Sequence, residues 1–244
     1  MFACPGLESM SYTQNQLIEL LPKRMQQRFV AHCEPFELVL AAELEKCGTQ
    51  LSHAYFPRVG AISMVLDIDG HPPAEVGMIG RESMVGSELV LGLGLAKTPW
   101  RAVVAGSGSC LRIETATLQQ ALVQMPELEN LLKRDLMIRL HQLSLASTCQ
   151  RFHSIGQRLA RWLLMDLDRA QADEVHVTQG FISLMLGVRR SSVTICAIEF
   201  QANGLIEYHR GELKVIDRVG MERAACSCYE ADKLLRTELM AMKS

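Results

Sequence analysis

Apolar residues along the chain change period twice, and each change marks a change of architecture. From Gln16 to Val30 the positions Leu17, Ile18, Leu20, Leu21, Met25, Phe29 and Val30 predict two short helices broken at Pro22, where the ring removes a donor and fixes φ. After Pro35 the texture becomes short β-compatible runs: 36–40, 54–56, 61–68, 74–79, 101–105 and 109–113. Gly and Pro punctuate these runs, and Asp69-Gly70 is a two-residue hairpin signal because both residues tolerate positive φ. The pattern predicts a small antiparallel barrel or roll. Helical spacing then returns at Leu118, Ala121, Leu122 and Met125, which share one face ahead of Pro126.

A longer helix is expected beyond that proline. Between Glu127 and Thr148 a stripe of Leu128, Leu131, Leu132, Leu136, Leu140 and Leu143 is accompanied by Ile138 and Leu145 outside it. That is more apolar surface than one neighbour usually covers. The helix either lies wholly inside a core or packs one face on its own roll and another on a symmetry mate, as a coiled-coil-like seam. Ser154 can cap a further helix bearing Leu159, Trp162, Leu163 and Leu167, and everything beyond reads as a separate module. The expected division is therefore residues 1–150, a sensor roll ending in a dimerisation helix at about 126–150, and residues 151–244.

Between Val177 and Asp217 the spacing is helix, tight turn, helix, hairpin. Thr178 is a good N-cap for a helix carrying Phe181, Ile182, Met185 and Leu186, and Gly187 supplies the permissive turn. A second helix starts near Arg190, on which Val193, Cys196, Ala197 and Phe200 face inward at i, i+3, i+4 and i+7. Arg189, Arg190, Ser191, Ser192 and Thr194 are left pointing outward at its amino-terminal end. A recognition helix presents that end to the major groove, where Arg can bond guanine O6 and N7 and Ser can meet bases or phosphates. Asn203-Gly204 ends the helix, and the runs 205–209 and 214–216 around Arg210-Gly211 form a wing whose positive tip can reach phosphates. Taken alone, two adjacent arginines are more often a solvated face than a base reader. The whole constellation is more specific.

At HSIGQRLARWLLM (153–165), TQGFISLMLGVRRSSVT (178–194) and GLIEYHRGELKVID (204–217) the sequence resembles the Crp/Fnr superfamily of bacterial transcription regulators, and the resemblance extends over nearly the whole chain. It implies an α+β fold: an amino-terminal cyclic-nucleotide-binding-like β-roll, a long dimerisation helix and a carboxy-terminal winged helix-turn-helix. It further implies a homodimer on double-stranded DNA at an imperfect palindrome, with RNA polymerase as a partner. The DNA-binding set is then Thr178, Gln179, Arg189, Arg190, Ser191, Ser192, Thr194 and Arg210. Arg190 stands at the position of the family's base-contacting arginine, with Ser191 and Thr194 or Ile195 at neighbouring readout positions. Ser191 replaces an acidic reader, so the best-known member's operator does not carry over.

The same resemblance bears on what the roll senses. Members that bind cyclic AMP use Gly-Glu for the ribose and Arg-Ser or Arg-Thr for the phosphate. Here GRESMVGSELVLG (80–92) has Gly86-Ser87 in place of Gly-Glu, and TPWRAVVAG (98–106) offers Arg101 without its hydroxyl neighbour. The pattern is degraded, and it leaves Arg81, Glu82, Glu88 and Arg101 as candidate effector contacts or, alternatively, as salt bridges on the roll. An iron–sulfur cluster needs four converging thiolates, whereas Cys4 stands alone near the amino terminus and Cys33, Cys47 and Cys110 do not recreate the motif. Haem needs one or two ligands, for which His53 and His71 are the candidates, with nothing else in support. Cys226-Ser227-Cys228 has no second ligand pair at zinc spacing in sequence and reads as two ordinary thiols on a terminal helix; no cofactor and no metal are expected.

Bulk properties add limits. A chain of 244 residues with 48% hydrophobic and 21% charged residues can bury cores throughout. A net charge of −2 decides nothing about nucleic acid, because a whole-chain sum hides a basic face. Residues 1–12 lack a basic flank with an apolar stretch and no later run reaches a membrane span, so a cytoplasmic protein without membrane attachment is expected, its eight cysteines mostly reduced. A cupin-like metalloenzyme would need converging histidines that no motif supplies, and phosphate loops, nucleophile elbows and paired-histidine helices are missing too. The expectation is a protein that is not an enzyme. The alternative to DNA binding is an effector-binding or protein-interaction module whose winged helix serves another partner.

Overall fold

A computed structural model describes residues 15–70, 73–92, 97–170 and 173–242. Helices α1 (Gln16–Glu19) and α2 (Lys23–Val30) are separated at Pro22, as the sequence pattern requires. Strands β1 (Glu34–Leu38), β2 (Glu43–Glu45), β3 (His53–Leu66), β4 (Ala74–Ile79) and β5 (Arg101–Glu114) form one antiparallel sheet in the order β1-β5-β3-β4, with β2 also on β5. Runs that the sequence separates, 54–56 with 61–68 and 101–105 with 109–113, are in fact two continuous 14-residue strands. Bulges between Pro57 and Ile62 bend this long pair, which lets one sheet curl into a roll. Gly60 sits at the bend with φ of 90°, and a Cβ there would lie 2.4 Å from the carbonyl oxygen of Gly106. Only glycine fits that close approach.

Inside the curl lie Leu38, Tyr55, Ile62, Met64, Ile79, Val104 and Cys110. One end of the roll is closed by α1, α2, α3 (Thr115–Gln124) and the first turns of α4 (Pro126–Phe152), which bury Leu17, Ile18, Phe29, Leu118, Leu128 and Leu132 against Phe56 and Ile113. Ile138, off the leucine stripe, is fully buried, while Met137, Leu140 and Leu143 are about half exposed at 54%, 53% and 44%.

The chain leaves α4 at Phe152 and enters α5 (Ile155–Ala170) through His153 and Ser154. Ser154 and Gln157 form a reciprocal cap: the Gln157 N–H donates to Ser154 Oγ at 3.3 Å, and the Ser154 N–H donates to Gln157 Oε1 at 3.0 Å. Beyond lie β6 (Glu174–His176), α6 (Gln179–Leu186), α7 (Arg190–Ala202), β7 (Ile206–His209), β8 (Glu212–Val215), α8 (Arg218–Ala224) and α9 (Cys228–Ala241), with the second sheet ordered β6-β8-β7. The three-residue strands β2 and β6 had no signal in the hydrophobic pattern.

The carboxy-terminal module packs back on the roll, sharing Ala61 and Met78 with its own core. Polar groups run through this contact. Arg169 of α5 is 6% exposed and pairs with Glu82 at 2.8 Å. Burial pushes Glu82 up, but Arg169 and Arg236 outweigh it and hold the carboxyl below its ordinary value. Glu75 accepts from Ser63 Oγ on β3 and from Trp162 Nε1 on α5 at 3.4 Å, and burial lifts it to about 7.

Two expectations concern stability. Asn15 caps α1 by accepting from the N–H groups of Leu17 and Ile18, while its amide donates to the Pro57 and Ser83 carbonyls at 2.9 and 3.0 Å. Asn15→Ala removes a cap and strands two buried carbonyls, so urea unfolding should register a loss of about 2–3 kcal/mol. Glu75 has a folded pKa raised above its ordinary 4.5, so its contribution is present at low pH and lost as pH climbs towards about 7. Glu75→Gln should therefore be more stable than the parent protein at pH 8 and flatten the decline in melting temperature between those two pH values.

Candidate nucleic-acid interface

The helix-turn-helix is built from local rules. Thr178 caps α6 by accepting from the Phe181 N–H at 3.1 Å, and Gly187 closes the helix in the left-handed region with φ of 62°. Val193, Cys196, Ala197 and Phe200 of α7 are buried with Ile182, Met185 and Leu186 of α6, on the face that their spacing assigns. Gln179 and Thr194 meet across the two helices, Thr194 Oγ1 donating to Gln179 Oε1 at 2.7 Å. These two side chains brace the motif. Thr178, Gln179 and Thr194 are thus engaged within the fold.

Arg189, Arg190 and Ser191 are exposed at the start of α7, and Ser192 is half-buried. Neither arginine makes an ion pair among the described residues, and Arg189 is the N-cap residue with extended backbone. Two guanidinium groups and a hydroxyl therefore lie free at a helix amino terminus, which itself favours anions. Further along the same face, Ile195 and Ile198 are each 61% exposed. The wing between β7 and β8 turns on Arg210 and Gly211, with φ of 51° and 93°, the backbone of a tight two-residue hairpin that carries an exposed cation at its tip. Tyr208 ties the wing to the body through its hydroxyl on the Val177 carbonyl at 2.7 Å.

The four roll residues singled out in sequence do not converge. Arg101 lies on the outside, bound twice by Asp67 at 2.8 and 2.9 Å and once by Glu43 at 3.3 Å. Glu82 belongs to the Arg169 pair, and Arg81 lines a crevice beside it with Tyr229, Asp232 and Arg236. Glu88 is buried at the wall of another cavity of about 200 Å³ between the roll and α4. That cavity is mostly apolar, lined by Met64, Met78, Trp100, Leu136, Leu140 and Leu143. Its cation is Arg139, which already donates to the Met84 carbonyl at 3.0 Å and to Ser87 Oγ at 2.8 Å. Sequence reading missed Arg139 and Trp100, because their approach depends on how α4 lies across the sheet. His53 has its ring nitrogen 2.9 Å from Ser52 Oγ at the start of β3; His71 and Cys4 lie outside the described residues. Cys33, Cys47 and Cys110 join no group of three or more ligating side chains among those described. Also among the described residues, no single helix is long and apolar enough to cross a membrane.

Comparison with known proteins adds a family for one part and a fold for most of the chain. Residues 157–224 match the Crp-like helix-turn-helix domain. No curated protein matches the sequence. Among solved structures, FixK2 from Bradyrhizobium japonicum superposes with a TM-score of 0.67 at 13% identity, covering 80% of this chain and 98% of that one. The c-di-GMP-responsive global regulator CLP of Xanthomonas campestris gives 0.62 at 18%, covering 80% and 100%. A putative transcriptional regulator of the Crp/Fnr family from Eubacterium rectale gives 0.63 at 13%, covering 86% and 98%. Residues 157–224 are a Crp-like helix-turn-helix domain, set in a chain that has the fold of the Crp/Fnr regulators.

Proposed function

We propose that this protein is a DNA-binding transcription regulator that acts as a homodimer on an imperfect palindrome. One observation carries the reading. Arg189, Arg190 and Ser191 are exposed and unpaired at the amino end of the second helix of a braced helix-turn-helix, with Arg210 at the tip of a wing on the same module. In this reading α7 enters the major groove, Arg190 makes paired hydrogen bonds to a guanine, Ile195 packs on a thymine methyl, and Arg210 meets phosphate. The reading assigns the module no catalysis.

In this reading the dimer is formed through α4. Leu136, Leu140 and Leu143 repeat at spacings of four and three, the seam of a two-stranded coiled coil, and Leu140 and Leu143 are left about half exposed in one chain. Pairing through this seam sets two α7 helices for half-sites about one helical turn, roughly 34 Å, apart. A signal at the roll would act by favouring one placement of the module over another, and the apolar cavity against α4 is where such a ligand would be felt. RNA polymerase is the further partner that this family type implies. The exposed Ile195 and Ile198 favour a second reading, in which α7 docks on a protein.

Selection of bound sequences from a random duplex library should enrich a two-fold related motif. Arg190→Ala should weaken binding to that motif by about 1–3 kcal/mol and relax the preference at one base pair, with binding that falls steeply as salt rises. Salt-insensitive binding with no enriched motif would instead favour the protein partner. Leu140→Glu combined with Leu143→Glu should give a folded monomer in sedimentation equilibrium, with DNA affinity reduced together with dimerisation.

A further inference from the structure

Where α4 ends, four side chains that play no part in the DNA-binding reading come together. Cys149 lies in the last turn of α4 and His153 is its C-cap residue, while Cys226 and Cys228 flank Ser227, the N-cap residue of α9. The two pairs come from segments about 75 positions apart, so sequence spacing gives no hint of their meeting. Cys149 Sγ lies 3.5 Å from Cys226 Sγ, and Cys228 Sγ lies 3.6 Å from His153 Nδ1. All four ligand atoms fall within 4.8 Å of one another.

Ordinary core packing explains this arrangement poorly. The three thiols are buried in a small cluster separate from the main cores, with Leu145 packed against it among the described residues. Dispersion among three thiols does not require the polar imidazole to point at them. A tetrahedral zinc ion does: with Zn–S near ~2.3 Å and Zn–N near ~2.1 Å, neighbouring ligand atoms stand ~3.6–3.8 Å apart. Two edges of the group are already close to that length, and no ligand atom lies more than 4.8 Å from another. A polynuclear iron–sulfur cluster would spread its thiolates over different irons and so hold them farther apart than this. A disulfide between Cys149 and Cys226 would leave Cys228 and His153 unexplained.

The surroundings suit a metal as well. Three thiolates and a neutral imidazole around a divalent cation leave a net negative charge, and the Arg161 guanidinium is close enough to act on both Cys149 and Cys228. We infer that Cys149, His153, Cys226 and Cys228 form a tetrahedral site for a thiophilic divalent cation, zinc foremost, which pins the start of α9 to the junction of α4 and α5. All four positions are filled by protein, so the ion is structural, with no open place for a substrate.

The test uses the full chain purified under reducing conditions. Elemental analysis should find one zinc per chain, and chelator-stripped protein should take up one equivalent of cobalt(II), with the intense d–d and thiolate charge-transfer absorption of tetrahedral sulfur-rich coordination. Cys149→Ser and Cys228→Ser should each weaken cobalt affinity on the order of 100-fold or more, since loss of even an outer-shell partner costs roughly 10–100-fold. Cys33→Ser and Cys47→Ser should bind as the parent does. The stoichiometry of the unaltered protein stands even if a cysteine variant folds poorly. Reduced protein that carries no zinc and takes up no cobalt would overturn the inference. So would a weak octahedral cobalt spectrum indifferent to Cys149→Ser, or a Cys149–Cys226 disulfide in the folded, reduced-purified chain.

Discussion

The structure turns on a four-residue loop, Gly80 to Ser83, that leaves the roll after β4 and is gripped from every side. The Gln16 N–H donates to the Arg81 carbonyl, Glu82 pairs with Arg169 of α5, the Glu82 carbonyl accepts from Arg236 of α9, and Ser83 Oγ donates to Asp135 of α4 at 2.7 Å. Asp135 has no exposure, and burial lifts its carboxyl to about 6 despite Arg139, Arg236 and the Ser83 hydrogen bond. A charge in such a place is tolerated only with partners, and removing one partner is worse than removing both. Space is short as well: a Cβ on Gly80 would collide with the Arg169 stem and the Glu82 carboxylate. The roll, the long helix and both ends of the carboxy-terminal module are therefore set by one polar knot rather than by apolar contact alone.

This knot explains how the fold can hold its helix-turn-helix module against its roll through so small a shared apolar contact. Ala61 and Met78 are the roll's buried additions to the module's core. An apolar contact of that size gives little directional control, whereas the Glu82–Arg169 pair and the Glu75–Trp162 hydrogen bond are sensitive to orientation. The module is thereby placed by directional polar contacts.

Much of this was legible in sequence wherever the cause was local. The period of Val193, Cys196, Ala197 and Phe200, the caps at Thr178 and Ser154, the stop at Gly187 and the wing turn at Arg210-Gly211 all act within a few residues, and they describe the helix-turn-helix correctly. The roll was legible as a class but not in detail, because strand continuity through the bulges at Val59 and Ala61 depends on a partner strand some fifty residues away. Arg81, Glu82, Glu88 and Arg101 looked alike as charged residues on one domain, yet only the folded chain separates a buried ion pair from an outer salt bridge. Likewise Cys226-Ser227-Cys228 lacks a partner pair in its own neighbourhood, and the nearest thiol is delivered by α4 from 77 residues upstream.

The connection between α4 and α5 is two residues long, and neither is slack: the His153 N–H donates to the Cys149 carbonyl, and Ser154 is locked in its reciprocal cap. Such a joint can swivel but cannot stretch. If paired α4 helices carry the module to DNA, its distance from the dimer axis is a property of rigid helices, so the operator inherits a fixed ruler. Inserting one base pair between half-sites would then both rotate and displace the second site beyond what the joint can follow, and the spacing of target sequences in a genome would vary far less than their bases.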